Sequence, residues 1–426
     1  MFLVDFVWAQ FDPGLPIISF GAEEKKSMGA AKMGEAIRHN WQATQLHLPD
    51  LTGEEMFAVA PAIANHRYLT HISLGGTSFG SQVAISLANA LKHHPSITSV
   101  NLADCNIDSS GACAFAGMLK TNWVLKELNL CRNKIGDDVG PAFAEAFRVN
   151  TTLTDLWFQS SPIGDNSVRA WLLPLSNHNR TLKTLGVQFC KIGHQGANAI
   201  AEMMKKNRVL DPVSLCGNPI GDQGAASLVL AYDIRKVKSI DLGFMWFGCS
   251  VNFLDNSPLA DALKNTRNVT SIRLSGNMIK DESAALFAEV LKVNRSLKHV
   301  GLEHTFIGEL GAEALAEALK VNTTLEDLGI YDTGLRDYGW GYYCLYQASK
   351  INKKVKIRTS FSGTPCHLKR AAQQEQEGWK PSRPGKASTS SIVCLNLSRY
   401  VASALLLFAI TWLSVWQFGA GAGEEL

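Results

Sequence analysis

The stretch "LKELNLCRNKIGD", residues 125–137, decides the fold of this chain. Its skeleton, L-x-x-L-x-L-x-x-N-x-I-G, recurs in ten consecutive units that begin from Leu69 to Leu325, with Cys or Thr replacing the Asn in several of them. Most of these units begin 27 to 29 residues after the one before, and one unit is lengthened to 32. A period this regular predicts one continuous repeat array in place of two or three separate domains.

Each unit carries a second stretch between its strand and the next one, such as "GAEALAEALKVNTT" at residues 311–324. Leu315 and Leu319 stand four apart among alanines, which predicts an amphipathic helix of about three turns. Neither a strand nor a helix of this length can bury its apolar face alone, so neighbouring units must stack. The sequence therefore predicts an α/β solenoid with a parallel inner sheet and outer helices. Weaker copies at Ala43 and Leu15 extend the array towards the N-terminus.

We number the first leucine of each skeleton as position 1 of its unit. Leucines at positions 1, 4 and 6 are expected to point into the core between the sheet and the helices. Position 9 lies where the chain turns away from the strand, so its side chain is expected to satisfy buried backbone groups. Position 9 is occupied by Cys105, Asn133, Cys190, Asn218, Asn277, Thr305 and Thr333.

Two motifs within the 28-residue unit suggest a family. The unit has "N-x-[ST]-L" between helix and strand and "IGD.GA..LA..L" after the strand, and in both respects it resembles the ribonuclease-inhibitor-like leucine-rich repeats. That class includes the repeat domains of NOD-like receptors and the GTPase-activating protein of Ran. The resemblance covers roughly residues 15–360 and implies a leucine-rich-repeat solenoid shaped like a horseshoe. It implies little about function, because the shared residues belong mostly to the core.

Aromatic side chains in the middle of the array suggest a binding surface. Side chains at positions 2, 3 and 5 are expected to point out of the concave sheet, and position 8 follows the strand. Partner-binding residues on this surface are expected to be aromatic, because exposed aromatic side chains often carry binding energy. The alternative is that these residues only pack locally, and both interpretations stay open here. The candidates are Trp157, Phe189, Phe244, Trp246 and Tyr331.

The C-terminal region contains an uncharged apolar run. Residues 400–418 include no charged side chain, and 19 helical residues at about 1.5 Å each would nearly match a hydrocarbon core of about 30 Å. A docked amphipathic helix is the alternative, but the run is apolar on all sides and leaves no face for water. The sequence thus predicts a transmembrane helix that serves as a tail anchor. Its apolar core and interfacial aromatics include Tyr400, Leu406, Phe408, Trp412 and Trp416.

Flanking charge predicts how this helix is oriented. Four basic residues precede the run, Lys380, Arg383, Lys386 and Arg399, whereas two glutamates follow it. Positive flanks stay in the cytosol, so the repeats are expected to be cytosolic. The acidic tail favours the endoplasmic reticulum or connected membranes over the mitochondrial outer membrane.

Composition changes along the chain predict five segments. They are an N-terminal cap at 1–14, the solenoid with its C-terminal cap at 15–367, a flexible polar linker at 368–398, the transmembrane helix at 399–418 and a short tail at 419–426.

Several other classes of site are not indicated. A net charge of +3 does not suggest a nucleic-acid partner. No phosphate-binding glycine loop, zinc spacing or catalytic triad is evident, and nine thinly spread cysteines favour a reducing compartment. His93 and His94 are adjacent but have no identifiable partners for a metal. We therefore expect no cofactor, no metal and no catalysis.

Six N-x-S/T sequons occur in the sequence. Five of them fall on the same helix-to-strand turn of the repeat, which favours a structural role over glycosylation. The sequons are Asn150, Asn179, Asn268, Asn294, Asn322 and Asn396.

Together these features predict a membrane-tethered scaffold that binds protein partners through its concave surface; its oligomeric state is not predicted. One alternative is a regulator of a small GTPase resembling the Ran regulator, although Arg132 does not match that family's motif with certainty and the segment after the repeats is not acidic. Another is a luminal receptor with an exported N-terminus, whose sequons would carry sugar.

Overall fold

The computed structural model describes residues 17–20, 22–48, 51–243, 257–335, 339–359, 366–378 and 381–384. Short strands alternate with helices along this part of the chain. The strands are β1 (Ile17–Ser19), β2 (Gln45–His47), β3 (His71–Ser73), β4 (Ser99–Asn101), β5 (Glu127–Asn129), β6 (Asp155–Trp157), β7 (Thr184–Gly186), β8 (Ser239–Asp241), β9 (Ser271–Arg273), β10 (His299–Gly301), β11 (Asp327–Gly329) and β12 (Lys356–Arg358).

The helices lie between these strands. They are α1 (Ala22–His39), α2 (Gly53–Asn65), α3 (Gly80–Leu91), α4 (Ser109–Leu119), α5 (Gly140–Val149), α6 (Asp165–Asn177), α7 (His194–Lys206), α8 (Gly221–Ile234), α9 (Pro258–Asn265), α10 (Asp281–Val293), α11 (Glu309–Val321), α12 (Trp340–Ile351) and α13 (Cys366–Gln376). A single 3-10 turn, Asp137–Val139, leads into α5.

All of the strand pairs are parallel and keep the phase of the repeat. Leu128 of β5 pairs with Leu156 of β6, which pairs in turn with Leu185 of β7, so position 4 always meets position 4. These leucines are at most 5% exposed and join one hydrophobic cluster with the inner faces of the helices. The predicted α/β solenoid with parallel strands and helices is confirmed.

The inner sheet is interrupted once, which the sequence analysis did not foresee. Strands β1 to β7 form one sheet and β8 to β12 form another. In most units the position 3 amide donates to the position 2 carbonyl of the preceding unit, as Thr184 does to Thr154 at 3.0 Å. The unit that begins at Leu210 has Pro212 at position 3, and proline has no N–H to donate. Helices α7 and α8 still pack together there, so the core is continuous where the sheet is not.

Side chains at position 9 satisfy backbone groups of the preceding unit, as expected. The Asn133 amide nitrogen donates to the Leu102 carbonyl at 2.8 Å and to the Leu130 carbonyl at 3.0 Å. Its oxygen accepts from the backbone N–H of Cys105 and of Ile107. Cys105 acts in the same way, since its thiol donates to the Leu74 carbonyl at 3.2 Å.

A second ladder of buried amides lies at the helix-to-strand turn. Asn150 donates to the carbonyls of Leu119 and Asn122 at 2.8 and 3.0 Å, and its oxygen accepts from the amides of Thr152 and Leu153. Each amide thus ties one unit to the unit before it, and a sugar on this nitrogen would break the ladder. The same donation to the preceding unit is made by Asn122, Asn179, Asn207, Asn294, Asn322 and Asn352.

The aspartate of the "IGD" motif caps the helix of the following unit. Asp165 accepts from the backbone amides of Gly193 and Gly196 at 2.7 and 2.9 Å. A β-carbon at residue 196 would lie 2.5 Å from the Asp165 carboxylate, so glycine is required there. The carboxylate also suits a helix N-terminus, where backbone N–H groups lack partners within the helix.

The C-terminal cap extends beyond its expected boundary at residue 367. Helix α13 packs against α12, with Leu368 and Ala371 buried between them. Glu375 accepts from Lys350 and from Gln347, both at 2.8 Å. Part of the predicted linker at 368–398 is therefore folded, because Leu368 and Ala371, three residues apart, give an otherwise polar stretch one buried helical face.

Three predicted segments lie outside the described residues, namely the N-terminal cap at 1–14, the transmembrane helix at 399–418 and the short tail at 419–426. Within the described part of the chain, no helix combines the length and the apolar character that membrane crossing requires.

Candidate protein-binding surface

The concave surface of the solenoid displays the side chains at positions 3 and 5 of each strand and at positions 7 and 8 after it. The structure places Trp157 at position 5 of β6, Phe189 at position 8 after β7 and Tyr331 at position 7 after β11. Phe244 and Trp246, the two remaining candidates, lie outside the described residues.

Trp157 is largely covered by its own sheet. Its side chain is 9% exposed. It occupies the space beside Gly186, its partner in β7, since a β-carbon at residue 186 would lie 2.5 Å from the Trp157 ring. The local-packing interpretation therefore accounts for most of this ring.

Phe189 is exposed and has an uncommon backbone conformation. Its side chain is 46% exposed, and its φ is 54°. The ring leans over the next unit, where a β-carbon on Gly217 would lie 2.8 Å from the Phe189 Cε1 atom. Beside the two aromatic residues, Gln159 donates to Gln188 at 2.6 Å. We call Trp157, Gln159, Gln188 and Phe189 the aromatic ridge.

The left-handed conformation belongs to position 8 in general. Gly, Asp or His, which tolerate positive φ, occupy this position in most of the units that adopt it. The left-handed conformation does not favour phenylalanine, and the Phe189 side chain remains 46% exposed. Positive φ at position 8 is found at Gly76, Asp104, Arg132, Ser160, Phe189, Gly217, Gly276, His304 and Asp332.

A second feature of the concave surface is a depression of about 410 Å³ along β9 to β12. Its floor contains Glu303, which is only 6% exposed. Arg358 approaches Glu303 at 3.1 Å and donates from Nε to both carboxylate oxygens of Asp327 at 3.0 Å. The Ser275 hydroxyl also donates to Glu303. We call Arg273, Ser275, Glu303, Asp327 and Arg358 the ionic pocket.

The charges of the ionic pocket compensate one another. Burial lowers the pKa of Arg358, but its hydrogen bond to Asp327 and the charges of Asp327 and Glu303 outweigh this and raise the pKa overall. The guanidinium is therefore held protonated between the two carboxylates. Arg273 pairs with Asp241 at 3.2 Å, and its side chain is 59% exposed. Of the two arginines, Arg273 is the one more available to a ligand.

Aromatic and imidazole rings form one side of the depression. His304 meets Tyr331 edge-on with centroids 5.6 Å apart, and its Nδ1 lies 3.5 Å from the Asp332 carboxylate. Burial, and after it the negative charge of Glu303, raises the pKa of the Tyr331 hydroxyl. The hydroxyl is therefore neutral at physiological pH and can act as both a donor and an acceptor.

The sequence analysis identified Tyr331 but missed the ionic pocket. Arg273, Glu303 and Arg358 come from different units, and only the register of the sheet brings them together. One signal was present in the sequence. Gly301 and Gly329 stand at position 5 of successive units, and an absent side chain at an outward position indicates a large neighbour above it.

The described residues offer little for catalysis. They contain no group of three or more His, Cys, Asp or Glu side chains able to hold a metal ion. His94 is a rung of the amide ladder, with Nε2 3.2 Å from the Ile63 carbonyl and Nδ1 accepting from Ile97. Burial raises the pKa of the Cys105 thiol to about 11 and that of Cys190 to about 12, so neither forms a thiolate readily.

A protein-family model described as "Leucine Rich repeat" matches residues 93–116 and 178–201. Both matches begin in the turn after a helix and span a strand and the first part of the next helix. These two segments are leucine-rich repeats. They continue with the same strand register and the same buried ladders in the units between and beyond the two matches.

Several solved structures are similar to this chain. An internalin from Listeria monocytogenes is similar over 76% of this chain and 93% of its own, at 17% identity and a TM-score of 0.44. A tropomodulin C-terminal domain from Caenorhabditis elegans covers 37% and 94%, at 14% identity and a TM-score of 0.28. The actin-binding site 2 of leiomodin-1 covers 37% and 78%, at 20% identity and a TM-score of 0.27. Likeness at this level does not extend to activity or partners. A search among curated proteins found no match.

Proposed function

We propose that this leucine-rich-repeat chain is a non-enzymatic scaffold that binds a protein partner on its concave surface. The observation that carries the proposal is Phe189, a phenylalanine that is 46% exposed at a position of left-handed backbone. Neither core packing nor backbone preference explains this residue. The left-handed conformation itself recurs at position 8 of the repeat, so the exposed aromatic ring is the feature that indicates a binding surface.

The chemistry of the concave surface suits a protein better than a small molecule. The aromatic ridge offers an apolar ring beside neutral amides, and the ionic pocket offers both signs of charge. A partner that spans both features would combine an aromatic anchor with polar contacts around it, as stable protein interfaces do. The depression itself is open and mostly polar, whereas small-molecule sites are enclosed and largely apolar.

The tether is the second part of the proposal. We infer that residues 399–418 form a tail anchor that keeps the repeats cytosolic, at the endoplasmic reticulum or a connected membrane. Support comes from the uncharged run at 400–418 and the basic residues before it. We also assign the repeats to the ribonuclease-inhibitor-like subtype, on their period near 28 and their asparagine turn.

Regulation of a small GTPase receives no specific support from the geometry. Arg132, the arginine considered for it, is exposed at position 8. Its φ of 56° is shared with the other units that are left-handed there, so the repeat explains its conformation.

The concave surface is tested by affinity purification of the full chain from detergent extract. Phe189→Ala should lose the partners that the wild type retains. Leu173→Ala is the matched control, because Leu173 is 61% exposed on the outer helix α6 and should keep every partner. Recovery of the same partners with Phe189→Ala, at the same yield, would refute binding through this surface. The tether is tested separately, by comparing the membrane fraction of the full chain with that of a chain stopped after residue 391.

A further inference from the structure

Positive charge is concentrated at one end of the repeat array. Residues 339–384 contain nine Lys or Arg and only two Asp or Glu, a net charge of +7, whereas the whole chain carries +3. Residues 339–359, which include α12 and β12, contain no acidic residue. A charge imbalance of this size over so short a stretch favours an anionic partner.

The structure places several of these lysines in the last unit of the solenoid. β12 is the last strand of its sheet, so only one of its edges is paired. Lys353 and Lys354 lie in the turn before β12, Lys356 lies at position 3 of β12, and Lys369 lies on α13, which packs against α12. All four side chains are exposed. We call these four residues the basic end.

Neighbouring carboxylates neutralise only part of this charge. Lys354 lies 3.7 Å from Glu326, which also pairs with Lys298. Within the described part of the chain, Lys353, Lys356 and Lys369 form no ion pair. The basic end therefore presents an uncompensated positive surface.

The position of the basic end relates it to the proposed membrane anchor. The described chain reaches residue 384 against the same end of the solenoid, where Arg383 contacts Glu313 of α11 at 2.9 Å. Residues 385–398 separate this point from the predicted span. Fourteen residues reach at most about 50 Å when fully extended, and about 20 Å on average as a flexible chain. The last unit of the solenoid is thus held within reach of the bilayer.

We infer that the basic end docks on anionic phospholipid headgroups of the membrane that holds residues 399–418. This inference rests on the proposed tether. Lysines next to a membrane are attracted by anionic lipids, and clusters of about four to eight basic residues are typical of such binding. Docking through the last unit would leave the aromatic ridge, which lies at β6 and β7, open to a partner.

The inference is tested with the full chain in nanodiscs of phosphatidylcholine, alone or mixed with phosphatidylserine. Lysines are acetylated briefly and their labelling rates are read by mass spectrometry. Labelling of Lys353, Lys356 and Lys369 should fall at least about threefold on anionic discs and recover in high salt, because salt screens the attraction. Lys92 and Lys120, exposed at the ends of α3 and α4, should label equally on both discs.

A variant pair sharpens the test. In Lys353→Glu/Lys356→Glu the protection of Lys369 on anionic discs should disappear, whereas Lys92→Glu/Lys120→Glu, with the same change in charge, should keep it. Equal labelling of the basic end on both discs overturns the inference. Protection on native membranes but not on anionic discs also overturns it, since the partner would then be an acidic protein. A chain that never incorporates into discs refutes the tether. This outcome differs from incorporation without protection of the lysines, which refutes only the docking.

Discussion

Glu303 and Arg358 meet at 3.1 Å above Gly329, which ends β11 in the unit between theirs. A β-carbon at residue 329 would lie 2.6 Å from the Glu303 carboxyl carbon and 2.8 Å from an Arg358 nitrogen. The glycine therefore makes room for an ion pair that spans two units. The ionic pocket therefore depends on the absence of a side chain at Gly329 as well as on the charges of Glu303 and Arg358.

Gly329→Ala should separate this pair. Loss of a partner for a carboxylate that is 6% exposed leaves a buried charge poorly compensated. We expect the free energy of unfolding to fall by about 2 to 4 kcal/mol, measured by urea denaturation. Gly117→Ala is the control, because nothing lies within 4 Å of a β-carbon there and alanine favours the helix. Equal stability of the two variants would show that the Glu303–Arg358 pair contributes nothing to the free energy of unfolding.

Asn150→Ala should destabilise the solenoid through the amide ladder. The change removes both donations to the preceding unit and leaves the buried amides of Thr152 and Leu153 without their acceptor. We expect a loss of about 2 to 3 kcal/mol and a lower Tm. Asn265→Ala provides the comparison, since the exposed Asn265 bonds only within its own helix and should cost less than about 1 kcal/mol. A similar Tm for both variants would show that the hydrogen bonds between units do not stabilise the solenoid.

The cysteines should differ in reactivity according to burial. Burial raises the pKa of Cys131, Cys190 and Cys216 to about 12. Cys113 is partly exposed, and its pKa is raised less. At neutral pH we expect iodoacetamide to alkylate Cys113 before these three in the folded protein, with the sites mapped by mass spectrometry. All four should react alike in urea, and early modification of Cys190 in the native state would contradict its burial.

His94 should make stability depend on pH. Burial, the largest cause, lowers its pKa below the ordinary 6.5. The unfolded chain then binds a proton more readily than the folded one, so stability is full above about 6.5 and falls as the pH drops below it. Protonation would also place a proton on Nδ1, which accepts from the Ile97 amide.

The comparison for His94 uses the residue that the later units have at this turn. His94→Asn should flatten the dependence of Tm on pH between about 5 and 7, because asparagine does not titrate. His178→Asn, at an exposed position, should leave the profile unchanged. If the two variants have identical profiles, His94 does not control the pH response.

The sequence was sufficient for the architecture because a repeat specifies the same local contacts many times. Leu128, Leu156 and Leu185 each pair with the equivalent leucine of the next unit. The spacing of about 28 residues places that leucine in register. The sequence did not reveal the break in the inner sheet at Pro212. One missing N–H interrupts the strand pairing there, while the core remains continuous. The helix at 366–376 was also not predicted, because its apolar face is narrow and its composition is mostly polar.

By itself, the sequence determined the layers, the strand register and the residues of the core, because each of these follows from apolar side chains at a fixed interval. Only the tertiary structure decided what the concave surface presents. Trp157 at position 5 and Phe189 at position 8 each lean over a glycine of the next unit, yet the ring of Trp157 is buried whereas that of Phe189 remains 46% exposed. The ionic pocket was likewise set by stacking, because its charges lie far apart in the chain and adjacent only once the units are in register.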